Sequence, residues 1–315
     1  MRELLLTFDV EDFTSERSFL TLRKILELMQ AEGIKALFFL TGHVAEKLGS
    51  YPDVLELLNN QELGFHSTSH SVRPTIFEYS DVRSYEEAVE IALVRETSHI
   101  NPFTGALEGR GGITLLRDLF PSKRIVSFRA PGYCWSPAVS QALHKLGVIF
   151  DFSTDLADNP VYYKGITFYP YAFQVFPPEG HDFNMVYPYL LFFFSKKHVT
   201  TLLFHPHSII NKTYWDTIFF SENPTMLVSP MERSQREKSH FLWQFSVFLK
   251  QISALQRAGA VKVISSLHQS SEMLKPTKQL VRRAYLRSVK WPVRCFKYHP
   301  RFLYSHYLKF FELEN

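Results

Sequence analysis

Residues 4–12 read Leu4-Leu5-Leu6-Thr7-Phe8-Asp9-Val10-Glu11-Asp12. A short apolar run that stops at three acids is the pattern of a buried strand whose end opens into a polar site. In an extended chain the side chains alternate, so Asp9 and Glu11 share one side and Asp12 takes the other.

Outward from this strand the pattern alternates. Ser18 to Glu32 has helical spacing, with Phe19, Leu22, Ile25, Leu26 and Met29 on one face and Gly33 just beyond. Strands are expected at 35–40, 62–65, 125–128, 148–152, 167–175, 200–204 and 261–265, and helices at 53–60, 84–96, 136–146 and 237–258. Repeated strand–helix alternation argues for a parallel sheet covered by helices, an α/β barrel or a doubly wound sheet. Active sites of such folds gather at the C-terminal ends of the strands. His66, Arg129 and His205 each follow an expected strand, as Asp9 and Glu11 do.

The 315 residues are 45% apolar and 21% charged, a globular composition that excludes a disordered or low-complexity chain. Two cysteines, Cys134 and Cys295, cannot build a disulfide framework. The apolar start is too short and too acidic for a secretory leader, and the run from Tyr187 to Phe194 is far below the ~20 residues of a membrane span. These readings predict a soluble cytoplasmic protein. The formal charge of +4 is uneven: from Lys275 onward ten Lys/Arg face two Glu, and the rest of the chain is net negative. The expected organisation is a body over residues 1–275 and a basic, aromatic-rich helical tail over 276–315. Arg282, Arg283, Arg287, Lys290 and Arg294, interleaved with Tyr285, Leu286 and Trp291, could meet an anionic membrane surface. No nucleic-acid motif is present, and nothing in the sequence sets an oligomeric state.

The sharpest chemical signal is His66-Ser67-Thr68-Ser69-His70. On a helix, histidines at i and i+4 share a face and can grip one metal ion. Imidazole suits zinc and similar ions, and a third, carboxylate ligand is needed. The acidic cluster at 9–12 offers Glu11 or Asp12.

Five motifs in order then resemble the polysaccharide deacetylase family, the NodB-homology hydrolases of carbohydrate esterase family 4, over about residues 4–270. They are Thr7 to Asp12, His66 to His70, Arg129-Ala130-Pro131-Gly132-Tyr133, Asp151-Phe152-Ser153 and Leu203-Phe204-His205-Pro206-His207. The resemblance implies a distorted (β/α) barrel and a hydrolase that removes an N-acetyl group from an amino sugar. It implies a divalent metal, zinc first, with cobalt, nickel or manganese as alternatives, held by His66, His70 and either Glu11 or Asp12. Asp9 is the implied base, oriented by Arg129, and His205 the implied acid, its pKa raised by Asp151, with Asp155 as the rival partner. The backbone N–H of Tyr133 would steady the oxyanion. Tyr133 and Trp135 would form an aromatic wall for a sugar, and His207 would bind substrate. Two departures stand out: the first motif lacks the family's adjacent Asp pair, and Gly132 interrupts Arg-x-Pro-Tyr. The expected setting is surface-polysaccharide biosynthesis, such as O-antigen or capsule, on glycan precursors. The rival readings are a small-amide hydrolase on the same scaffold and a glycan binder without turnover.

Overall fold

A computed structural model describes residues 2–70, 81–102, 104–175, 198–213, 215, 230–296 and 300–313, with 291–296 described by backbone alone. The apolar run at 187–194, Cys295 and the side chains of Trp291 and Arg294 therefore lie outside the described residues. The first half contains β1 (Arg2–Val10), α1 (Glu16–Ala31), β2 (Leu37–Leu40), α2 (Gly42–Leu48), α3 (Pro52–Asn59), β3 (Glu62–Phe65), α4 (Tyr85–Thr97), β4 (Ser98–Ile100) and β5 (Leu107–Arg110). Next come α5 (Gly112–Leu119), β6 (Ser127–Phe128), α6 (Pro137–Lys145), β7 (Phe150–Asp151), β8 (Val161–Tyr163), β9 (Ile166–Phe168) and β10 (Phe173–Gln174). The chain then forms β11 (Val199–Phe204), α7 (Gln235–Arg257), β12 (Val261–Val263), α8 (Lys278–Phe296) and α9 (Leu303–Phe310).

The main sheet runs β10-β11-β1-β2-β3-β6-β7-β9-β8, and β12 pairs with β1. Among the described strand pairs of this sheet, only β8–β9 is antiparallel. All strands that carry site residues therefore point their C-terminal ends to one rim. β1 is the hub. It pairs with β11 from Glu3 to Phe8, with β12 over Arg2 to Leu4 and with β2 over Thr7 to Val10. Two partners successively share one edge of β1, and the sheet curls into the distorted α/β barrel that the motifs implied.

Strand alternation sorts the apolar residues into two layers. Leu4, Leu6, Phe8 and Val10 face the helices, together with Phe38, Leu40, Phe65 and Phe204. Phe8 stacks on Phe38 and Phe204 with ring centroids 4.5 and 5.0 Å apart, and Phe245 of α7 meets it edge-on. Leu5, Leu37, Phe39, Phe150 and Phe152 form a separate inner layer. Thr7, Asp9 and Glu11 continue the inner parity of Leu5, so the polar end of β1 sits above an apolar plug. Gly64 is required here: a Cβ would lie 2.6 Å from both the Phe39 ring and Ser127 Oγ.

The segment expected as one strand over 167–175 is split into β9 and β10. Pro170 between them has no N–H to give a ladder. The tail residues form α8 and α9, which pack Val281, Ala284, Leu303, Tyr307, Phe310 and Phe311 against Trp135, Val161, Ile166 and Phe168. No helix among the described residues is long and apolar enough to cross a membrane.

Candidate metal centre and its catalytic surroundings

Asp9 and Glu11 leave β1, His66 leaves β3, Arg129 leaves β6 and His205 leaves β11. All but His66 line one cavity of about 280 Å³ with His70, Tyr133, Gln174, Leu203, His207 and Trp215. Glu11 Oε2 is 2.8 Å from His70 Nε2 and 3.8 Å from His66 Nε2. Tetrahedral bonds of ~2.0–2.1 Å place neighbouring donor atoms about 3.3 Å apart, and these two separations bracket that value. The three ligand atoms lie within 4.8 Å of one another.

Two further observations fit a cation. His66 Nδ1 donates to Arg129 O at 2.8 Å, so neutral His66 keeps its lone pair on Nε2. That Nε2 is buried and makes no hydrogen bond. An inner nitrogen aimed at the site and an outer one held by a carbonyl is the usual arrangement of a ligating histidine. Burial alone would raise the Glu11 carboxyl, but the surrounding histidines, led by His70, hold it well below the ordinary carboxylate range. Glu11, His66 and His70 are thus a buried candidate metal site.

The histidine motif reaches this geometry without a helix. Residues 66–70 form a loop, and Ser67 takes a left-handed φ of 65°. Such a conformation persists only where its surroundings hold it. Ser67 Oγ donates to Glu96 Oε1 at 2.9 Å, and Thr68 N donates to Glu96 Oε2 at 2.8 Å. Arg95 Nη2 donates to Ser69 Oγ at 2.9 Å. The buried end of α4 therefore holds the loop, a role that nothing in its sequence announced.

Asp9 sits at the centre of a second set. Arg129 Nη1 donates to Asp9 Oδ1 at 2.6 Å, and Nη2 donates to Thr7 Oγ1 at 3.0 Å. Thr7 in turn donates to Leu202 O at 2.9 Å, and the guanidinium lies 4.4 Å over the Phe39 ring. Asp9 Oδ2 remains on the cavity side, 3.7 Å from His66 Nε2 and 3.9 Å from His205 Nε2.

Several expected residues stand elsewhere. Asp12 points away from the histidines and ties down the turn that leads into α1: its Oδ1 accepts from Thr14 N at 2.9 Å and Ser15 N at 3.3 Å, and Oδ2 accepts from Ser18 Oγ. Of the two acids left open as ligand, only Glu11 joins the cluster. Asp151 lies behind the Arg129 strand end and not beside His205. It accepts from Trp135 Nε1 at 2.9 Å, Ser153 N at 2.7 Å and Ser140 Oγ. The His205 pKa is accordingly not raised. Burial lowers it, against Glu11 and Asp9, which push it up. The other named rival, Asp155, pairs with Arg287 of α8.

Trp135 is fully buried and packs edge-on against Tyr307 and Phe310, so it is core and not a sugar wall. Tyr133 does line the cavity, with its ring 4.4 Å from Tyr171. Its backbone N–H donates to Ala130 O at 3.1 Å, which closes a tight turn instead of facing an oxyanion. The inserted Gly132 causes this, since Gly132 and Tyr133 both take a left-handed φ of 55°. His207 is turned toward the ligand cluster: Nε2 accepts from Trp215 N at 3.2 Å, and Nδ1 faces Glu11 Oε1 at 3.1 Å. Its neutral form then carries the proton on Nδ1, presented to Glu11.

Comparison with known proteins follows the same lines. No characterised protein sequence matches the chain. Solved structures do. A mutant of a CE4-family pseudoenzyme with restored enzymatic activity is 15% identical over 83% of this chain and 65% of that one, under two thirds of its length, with a TM-score of 0.43. The peptidoglycan deacetylase PdaC from Bacillus subtilis is 13% identical over 93% of this chain and 96% of that one, with a TM-score of 0.42. The 4-alpha-glucanotransferase from Thermococcus litoralis is 12% identical over 98% of this chain and 50% of that one, with a TM-score of 0.51, a likeness of fold alone. The family model for polysaccharide deacetylase matches residues 1–150, the part that carries Asp9, Glu11, both motif histidines and Arg129. That match covers a little under half of the chain and makes its N-terminal part similar to the polysaccharide deacetylase family.

Proposed function

We propose that the protein is a metal-dependent hydrolase that removes the N-acetyl group from an amino sugar in a glycan or glycan precursor. One observation carries the reading: Glu11, His66 and His70 converge beside a carboxylate, Asp9, whose outer oxygen is clamped by buried Arg129. A pure binding site has no use for that clamped base.

Glu11, His66 and His70 would hold the ion, and zinc suits the two imidazoles and one carboxylate. When bound, such an ion supplies Lewis-acid polarisation of a carbonyl and lowers the pKa of a coordinated water toward ~7. Asp9 does the proton work. Arg129 fixes Oδ1, while Oδ2 faces the cavity and accepts the proton of the attacking water. His205 is the leaving-group acid. Burial makes its resting form neutral, so it takes its proton during turnover, and Asp9 Oδ2 at 3.9 Å is the nearest donor once protonated. His207 steadies the Glu11 carboxylate through Oε1. Tyr133 is the aromatic wall against which a sugar ring would lie.

The exposed face of α8 carries Arg282, Arg283 and Lys290 around Leu286. This basic face supports a setting beside an anionic membrane surface, where lipid-linked precursors of surface polysaccharide are found. Sedimentation with anionic liposomes checks it. Equal binding by wild type and an Arg282→Glu/Arg283→Glu variant refutes it.

The function is tested by acetate release from N-acetylglucosamine oligomers, using chelator-treated protein with and without added zinc. Acetate released only with metal supports the reading. Bound metal with no acetate from any N-acetylated glycan overturns it in favour of a binder, and turnover of a small cyclic amide alone favours the rival amidase.

A further inference from the structure

A second histidine–carboxylate cluster lies outside the site just described. His43 and Glu46 are one turn apart on α2, and His99 is in β4. His43 Nδ1 is 3.3 Å from Glu46 Oε2, and His99 Nδ1 is 2.5 Å from Glu46 Oε1. The three ligand atoms lie within 4.8 Å of one another. The geometry points to a second, structural divalent-cation site of the zinc class at His43, Glu46 and His99, separate from the catalytic one. It does not rest on the proposed activity.

The donor set favours this class of ion. Two imidazole nitrogens and one carboxylate suit zinc and its neighbours, whereas calcium and magnesium take oxygen ligands. His43 Nδ1 stands 3.3 Å from Glu46 Oε2, the spacing of two donors on a tetrahedral ion, while His99 Nδ1 meets the other carboxylate oxygen, Oε1. The His99 pair must open by less than ~1 Å to reach that spacing. His99 sits at the start of the β4–β5 hairpin, partly exposed, where such a shift meets little packing.

The surroundings are those of ligands. The outer nitrogen of His99, Nε2, faces Glu108 Oε2 at 3.9 Å, the place where a ligating histidine commonly has a carboxylate. The His43 side chain is 2% exposed and forms a fixed inner wall, with the Phe13 ring 4.7 Å from it. The Glu46 side chain is 23% exposed and that of His99 is 30%, so an ion has a way in from solvent.

The position gives the ion a purpose. His43 N donates to Thr68 O at 3.1 Å, and Gly42 N donates to Ser67 O at 3.0 Å. The first turn of α2 is thus bonded to the loop that bears His66 and His70. A cation joining α2 to β4 ties that turn to the hairpin following α4, and α4 holds the same loop from its other side through Glu96. The second site braces the first.

The test is metal counting on the full chain, stripped with chelator and dialysed against zinc. Wild type is expected to retain two equivalents. His66→Ala/His70→Ala and Glu46→Gln/His99→Ala are each expected to retain one. In the His66→Ala/His70→Ala background zinc is expected to raise Tm, and cobalt is expected to give a visible absorption band. Both signals are expected to vanish on adding His99→Gln, a change at a partly exposed residue that the fold should accept. A single equivalent in wild type that His66→Ala/His70→Ala abolishes and Glu46→Gln/His99→Ala retains overturns the inference and leaves a hydrogen-bonded His–Glu–His bridge. Two equivalents that survive Glu46→Gln/His99→Ala overturn it as well. Failure to release acetate bears on the proposed activity and leaves this count untouched.

Discussion

Arg129 Nη1 lies 2.6 Å from Asp9 Oδ1, and both side chains are buried among Thr7, Phe39 and the strand ends. A buried pair is costly to break from one side, because the remaining charge is left without a partner. Arg129→Lys keeps the charge but loses the fork that reaches Asp9 and Thr7 together. This variant is expected to lose about 3 kcal/mol of stability by urea denaturation, with turnover falling alongside.

Asp9→Asn separates chemistry from metal binding. The ligands Glu11, His66 and His70 remain, so zinc stoichiometry should be unchanged. Turnover should fall by ~10²–10⁴-fold, the usual loss when a positioned base is removed. Acetate kinetics and metal analysis on one preparation check both halves.

Glu11 and Asp12 are neighbours with different duties, and their variants should diverge. Glu11→Gln should abolish tight zinc binding. Asp12→Asn should leave zinc affinity unchanged and cost about 1 kcal/mol through weakened hydrogen bonds to the turn before α1. His207→Gln should weaken zinc by ~10–100-fold, as loss of a group that steadies a ligand does. Competition with a chromophoric chelator ranks all three.

The pH dependence of stability has a definite sign at His205. Burial lowers its pKa from the ordinary 6.5, so below that pH the unfolded chain binds a proton that the folded one resists. Its contribution is complete above pH 6.5 and is lost as pH falls from there toward the depressed folded value. In metal-free protein, unfolding free energy should rise with pH across that interval. The slope should be shallower in His205→Gln, measured by urea titrations at several pH values.

Trp135→Ala tests whether this ring is core. Truncating a buried Trp costs ~3–5 kcal/mol, and here it also removes a donor from buried Asp151. A large drop in Tm is expected, with KM unchanged for the protein that remains folded. A raised KM at unchanged Tm would return Trp135 to the sugar wall.

The parts of the site that follow from parity along one strand were legible. Alternation along β1 places Asp9 and Glu11 together, and the structure keeps that parity past Val10 until Asp12 turns to hold the lead-in to α1. The pairing of His66 with His70 was legible from spacing, but its conformation was not. The loop is shaped by Arg95 and Glu96, which read in sequence as ordinary charges near a helix end. Asp151 and Trp135 were misplaced for a related reason. Their partners, Ser140, Ser153, Tyr307 and Phe310, come from separate elements, and no local pattern links them. The tight turn at Gly132 was visible as an insertion, yet its effect on the Tyr133 N–H needed the backbone angles.

The hub position of β1 has a consequence for biosynthesis. Thr7 waits for a carbonyl 195 residues downstream, and Trp135 waits for the side chains of α9. A ribosome therefore releases most of the polypeptide before either the acid-bearing rim or the wall behind it can close. Nascent chains should expose Phe8, Phe38 and Trp135 until their distant partners are made and depend on chaperones, and catalytic competence should arise only after α9 has left the ribosome.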